Sequence, residues 1–183
     1  MNYKIFNGSK EDFMNEYFLE EEQIREGLKT LGFNKQSSII DIGCGDGKFT
    51  SFIRNEFKSK IKGIDNDSLK ISNCILTYPN VNFELRDFKK DFDYLTSLSY
   101  EIVLFIRVFG YLKDIEPFII LTYFLNKECI MFFPHFEVLN YKDKSLYFYR
   151  TDDDIKNTVL PIFEKYFDVE CKNNGFFLIK KKS

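Results

Sequence analysis

The chain has 183 residues, 44% hydrophobic and 30% charged, with a formal net charge of −2. Those values suit one domain with a substantial core and exclude a disordered chain. A net charge so close to zero also supplies no global basic field for nucleic acid.

In chain order, Ser9 makes a good helix N-cap, with Glu11 and Asp12 behind it. A second helical pattern carries Ile24, Leu28 and Leu31 on one face and stops at Gly32. Residues 1–36 therefore read as a helical cover ahead of a core spanning 37–183, within a single domain. Ile39–Ile42 is a strand, followed by a helix from about Lys48 to Phe57 and a strand over Lys60–Asp65. Asp67-Ser68 opens a helix that ends before Tyr78-Pro79, and Val81–Leu85 is a third strand. Tyr100 to Val108 is almost continuously apolar, as a strand covered on both faces must be. Asp114 caps a helix through Leu125, and Cys129–Phe133 is a strand stopped by Pro134. A last helix runs from Thr151 to about Tyr166. Phe167–Cys171 and Phe176–Lys180, joined through Asn173-Asn174-Gly175, form an antiparallel hairpin. Alternating strands and helices predict an α/β fold: a mostly parallel sheet with helices on both faces.

The stretch Asp41-Ile42-Gly43-Cys44-Gly45-Asp46-Gly47-Lys48 carries the chemistry. It runs from a buried strand into a helix through three glycines at alternate positions, where side chains would obstruct a tight turn and a close ligand. The helix beyond it points unpaired N–H groups and a positive dipole end at whatever lies over the turn. A dinucleotide fingerprint needs a glycine where Lys48 stands. An acid two residues before the first glycine, Asp41, is instead placed to hold an ammonium group, directly or through neighbouring amides. About twenty residues on, Asp65 and Asn66 end the second strand, where a carboxylate can accept from both ribose hydroxyls. Asp87 and Phe88 follow the third strand.

This pattern resembles motif I and its downstream acids in the class I S-adenosylmethionine-dependent methyltransferases. The resemblance implies a Rossmann-like, seven-stranded sheet whose last strand is antiparallel, with S-adenosyl-L-methionine as cofactor. It places Asp41, Gly43, Cys44, Gly45, Gly47, Asp65, Asn66, Asp87, Phe88 and Arg107 around that cofactor. Asp87 matches the acid that contacts the adenine amino group; its alternative is a helix N-cap. Phe88 would wall the ring.

Methyl transfer is a direct displacement, so an enzyme mainly aligns nucleophile, carbon and sulfur. The Asn/Asp-Pro-Pro-aromatic motif used on exocyclic amines is missing after strand four, where Ile106-Arg107-Val108-Phe109-Gly110 stands. A Pro-Cys nucleophile is likewise missing, and Arg107 occupies the place of the acid that a metal-dependent catechol type needs. An O- or N-methyltransferase of a small molecule is the expectation that remains, with RNA or protein methylation, or a catalytically silent cofactor-binding partner protein, as alternatives. Arg107 suits an anionic acceptor group or a salt-bridged rim. His135, the sole histidine, and Tyr111 are candidate bases or substrate contacts, Glu137 a weaker one. Residues 134–150 read either as a cover over the acceptor or as an ordinary edge segment. Cys44, Cys74, Cys129 and Cys171 form no C-x-x-C pair, so no metal site and no disulfide framework is expected. With no apolar signal region after Met1, a cytoplasmic location is expected. The absence of alanine and tryptophan beside 22 phenylalanines is most simply codon bias, so phenylalanine stripes carry little functional weight.

Overall fold

The computed structural model describes residues 21–22, 24–29, 33–87, 90–98, 100–106, 108, 128–132, 157–158, 160–171 and 176–181. Residues 21–22 and 24–29 are helical (α1). Next come β1 (Ser38–Ile42), α2 (Lys48–Phe57), β2 (Lys60–Asp65), α3 (Ser68–Thr77), β3 (Asn82–Leu85), α4 (Phe92–Ser97) and β4 (Ile102–Ile106). The remaining elements are β5 (Glu128–Phe132), α5 (Leu160–Phe163), β6 (Phe167–Cys171) and β7 (Phe176–Lys181).

The strands lie in the order β3-β2-β1-β4-β5-β7-β6. Neighbours from β3 to β5 are parallel, while β7 runs antiparallel to both β5 and β6. This is a Rossmann-like α/β fold built on a parallel sheet. The chain order β1–β2–β3 steps outward on one side of β1, and β4 then returns to its other side. That reversal opens a crevice at the carboxyl ends of β1 and β4, where such sheets bind ligands.

Register explains which residues pack together. Ile39 is level with Ile61 and Ile102, so the three share a sheet face. They join Ile24 and Leu28 of α1, Ile53 of α2, Leu104 and Ile106 in one buried cluster. Full burial of each such side chain stabilises the fold by roughly 1.5–3 kcal/mol. The i, i+4 pair Ile24 and Leu28 thus places α1 on the sheet itself. On the opposite face Ile40, Val103 and Phe105 are also buried, which accounts for the unbroken apolar run of β4. Tyr94 of α4 reaches that side, with Arg86 stacked 4.2 Å over its ring.

Local chemistry sets the helix ends. Asp67 caps α3, its Oδ1 accepting from the amides of Leu69 and Lys70 at 3.0 and 3.2 Å. Helix α2 ends at Lys58 in the left-handed region, φ 55°, and Arg54 donates to the Ser59 carbonyl at 2.9 Å. The sequence reading did not include α4, a six-residue element in which Leu95 is fully buried. One apolar anchor in so short a segment leaves no helical period to detect. Of the expected last helix, Leu160–Phe163 is helical, and 151–156 and 159 lie outside the described residues. Residues 1–20, Leu31 and the expected helix from Asp114 to Leu125 lie outside the described residues.

Candidate functional site

The turn between β1 and α2 lies at the carboxyl edge of the sheet. Gly43, Gly45 and Gly47 have φ of 75°, 60° and 75°, a region where an L side chain costs roughly 1–2 kcal/mol. Their surroundings differ. A Cβ on Gly43 would stand 2.6 Å from Val108 Cγ2, just beyond β4. One on Gly47 would stand 2.7 Å from Phe83 Cζ and 2.9 Å from Cys74 Sγ. On Gly45 the nearest atom would be the Gly43 carbonyl oxygen at 4.0 Å. Packing therefore closes the first and third glycines, whereas at Gly45 no atom of the described residues comes nearer than 4.0 Å.

Backbone hydrogen bonds fix the turn. The amides of Gly43 and Cys44 donate to the Ile64 carbonyl at 2.8 and 3.0 Å, and the Gly47 amide donates to the Cys44 carbonyl at 3.0 Å. Asp65 completes the arrangement: Oδ2 accepts from the Gly45 amide and Oδ1 from the Asp67 amide, both at 2.9 Å. Each oxygen retains acceptor capacity for a ligand hydroxyl. Asp65 thus ties the glycine turn to β2 and ends the strand with a charged acceptor. Asn66 beside it is exposed.

Asp41 is only 2% exposed. Its register with Gly63 and Leu104 puts it on the α2 face, where Oδ2 accepts a 2.5 Å hydrogen bond from the buried Thr50 hydroxyl. Oδ1 is buried and has no hydrogen-bond partner among the described residues. Burial pushes the carboxyl up to about 7; the Thr50 hydrogen bond opposes this, and the charges of Asp65 and Asp46 reinforce it. Because the Gly43 and Cys44 amides are spent on Ile64, Asp41 has its own Oδ1 to offer rather than a route through them. Burial and neighbouring acids also raise the Cys44 thiol, and burial takes Cys74 to about 11. Both are free cysteines held as thiols, poor nucleophiles and poor metal ligands. No metal-binding group of His, Cys, Asp and Glu occurs among the described residues.

Past β3, the Asp87 amide donates to Asp91 Oδ2 at 2.9 Å, and its carbonyl accepts from the amides of Lys90 and Asp91. The N-cap position of α4 belongs to Asp91, so Asp87 is not the cap of that helix. Its half-buried carboxylate lies 3.8 Å from Nζ of the exposed Lys90, a pair of small energetic weight. The sequence reading missed three residues that shape this site: Thr50, Phe83 and Cys74. A glycine inside β2, level with Phe83, is the available signal for Phe83. Phe88, Arg107, Tyr111, His135, Glu137 and the 134–150 segment lie outside the described residues.

A strand–glycine turn–helix unit with an acid ending each of β1 and β2 is what motif I of the methyltransferases requires. The family model described as "Methionine biosynthesis protein MetW" matches residues 28–162. The chain belongs to the MetW family. With it comes membership of the class I S-adenosylmethionine-dependent methyltransferases, borne out by the sequence resemblance and the fold together. Among curated proteins, "Putative methyltransferase 235L" of Invertebrate iridescent virus 6 is 40% identical over 65 residues, covering 35% of this MetW-family chain and 24% of the relative. Among solved structures, the methyltransferase domain of bacterial CtHen1 superposes with a TM-score of 0.71 at 14% identity, covering 90% of this chain and 97% of that one. The plantazolicin methyltransferase BpumL, solved in complex with SAH, gives 0.68 at 18% identity, covering 94% and 86%. These structural likenesses establish the shared fold. No helix among the described residues of the MetW-family chain is long and apolar enough to cross a membrane.

Proposed function

We propose that the protein transfers a methyl group from S-adenosyl-L-methionine to an oxygen or nitrogen of a small-molecule acceptor. One observation carries the cofactor part: among the described residues nothing crowds Gly45, while its amide is held by Asp65, a strand-end carboxylate with acceptor capacity left. The buried, unpartnered Asp41 Oδ1 beside the turn fits a ligand that brings positive charge. BpumL, which shares the fold, is described with SAH bound. The complete seven-stranded sheet with a reversed last strand belongs to the same reading, and the strand order supports it.

On this reading, Asp65 accepts from the ribose hydroxyls, the backbone of Gly43–Gly47 lets the cofactor approach closely, and Asp87 with Phe88 borders the adenine. S-adenosylmethionine itself supplies an activated methyl group on sulfur. The protein's part is alignment and exclusion of water, with a base needed only when the attacking atom carries a proton. His135 and Tyr111 are the candidates for that role, and Arg107 for holding an anionic group of the acceptor. The family description points the acceptor search towards amino-acid-related metabolites, and a cytoplasmic location is part of the proposal.

Calorimetry with S-adenosylmethionine, S-adenosylhomocysteine and NAD tests the cofactor. A metabolite screen for formation of S-adenosylhomocysteine then tests the acceptor. Micromolar binding of the two sulfur ligands without NAD binding is expected. Tight NAD binding with no response to S-adenosylhomocysteine would refute the reading. Turnover on RNA or protein alone would replace the acceptor class.

A further inference from the structure

Asp41 is a carboxyl group in a place that disfavours its charge. It is 2% exposed, it sits level with the uncharged Gly63 and Leu104, and from α2 it meets the Thr50 hydroxyl. The charged groups acting on it are acids, Asp65 at the end of β2 and Asp46 in the turn; the nearby titratable groups Cys44 and Cys74 are thiols kept protonated. No cation among the described residues contributes to its environment. The Thr50 bond to Oδ2 settles which oxygen does what. An oxygen already accepting a hydrogen bond at 2.5 Å leaves the proton to the other one, so the proton resides on the buried, unpartnered Oδ1.

We propose that Asp41 takes up the cofactor by proton exchange: Oδ1 carries a proton in the ligand-free protein and releases it to solvent when the ammonium group of the cofactor arrives, while Thr50 pins Oδ2 and so directs Oδ1 to the ligand. This rests on the cofactor reading above and adds a proton balance and a positioning residue to it. The charge balances, since one cation enters and one proton leaves. Physically, an incoming cation removes the reason for protonation. Burial penalises an isolated carboxylate, but a carboxylate paired with an ammonium recovers that loss. Because burial and acidic neighbours lift the free carboxyl to about 7, the exchange falls within an accessible pH range.

The test is calorimetry of S-adenosylhomocysteine with the full chain, at pH 6, 7 and 8 and in buffers of different ionisation heat. Affinity is expected to be about tenfold weaker at pH 6 than at pH 8, with about half a proton released per site at pH 7. Thr50→Val removes a hydrogen bond that favours the charged form, so it should move the midpoint of this profile to higher pH, and Thr50→Ser should restore it. A carbon NMR titration of the ligand-free chain, with Asp41→Asn to assign the resonance, gives an independent readout of the carboxyl near pH 7. Binding of equal strength at all three pH values, with no proton release, overturns the exchange and leaves the cofactor reading intact. No binding at any pH overturns both. A ligand-free Asp41 resonance titrating in the ordinary carboxylate range overturns the exchange whatever the ligand does, and an unmoved midpoint in Thr50→Val removes Thr50 from the account.

Discussion

Gly47→Ala and Gly45→Ala look alike in sequence and should behave differently. At Gly47 the new Cβ meets Phe83 Cζ at 2.7 Å and Cys74 Sγ at 2.9 Å, with φ at 75°. Left-handed strain costs about 1–2 kcal/mol and overpacking about 1–3 kcal/mol more. Alanine's smaller unfolded-state entropy offsets about 0.4–1 kcal/mol of that, leaving a net loss of about 1–4.6 kcal/mol. Gly45→Ala incurs the strain alone, because the nearest atom of the described residues is 4.0 Å away, and the Gly45 amide still donates to Asp65; its net cost should be about 0–1.6 kcal/mol. Urea unfolding followed by far-UV circular dichroism measures both. Phe83→Leu in the Gly47→Ala background relieves the clash, so a double-mutant cycle should show favourable coupling of about 1 kcal/mol. Equal destabilisation by the two alanines, or zero coupling to Phe83, would refute the division of labour among the glycines. Gly45→Val then serves as the complementary probe, since its branched side chain projects where no described residue stands and should abolish cofactor affinity.

Asp65→Ala should weaken S-adenosylhomocysteine binding by roughly 1.5–3 kcal/mol. It should also cost about 1–2 kcal/mol of stability, because the amides of Gly45 and Asp67 lose their acceptor; calorimetry and urea melts separate the two, and unchanged affinity would remove Asp65 from the ribose. Asp41 makes stability fall as pH rises. Its folded carboxyl sits at about 7 against an ordinary value of 3.8, so its contribution is complete below the lower value and lost on passing the higher, a total of about 4 kcal/mol. Urea midpoints from pH 4.5 to 8 should therefore show Asp41→Asn gaining on the parent chain as pH rises, and parallel profiles would contradict the assignment. Arg107→Ala should raise KM for an anionic acceptor while leaving cofactor affinity unchanged, which steady-state kinetics and calorimetry resolve; equal loss of both would make Arg107 structural.

Much of this protein is written in short-range pattern. The apolar run of β4, the alternation at the start of β2, the Asp67 cap and the Tyr78-Pro79 stop of α3 each depend on residues within a turn or two. The reading therefore placed α2 at Lys48–Phe57 and β2 at Lys60–Asp65, as the structure does. The glycine turn was legible for the same reason: three glycines at alternate positions after a buried strand, followed by a helix, have few structural uses. What each glycine is for was not. Gly47 answers to Phe83 and Cys74, and Gly43 to Val108, contacts that exist only once parallel strands bring distant segments side by side. Likewise the sequence places Asp41 beside the turn, and only register adds that one of its oxygens is taken by Thr50 of α2 while the other is left without a partner among the described residues. Asp65 read as a ribose contact, yet it also holds two backbone amides from either side of the site. Local sequence determines which elements form and where a turn must be free of side chains. The burial of a carboxyl and the choice of its partner are properties of the packed sheet, because they depend on what surrounds the group in three dimensions.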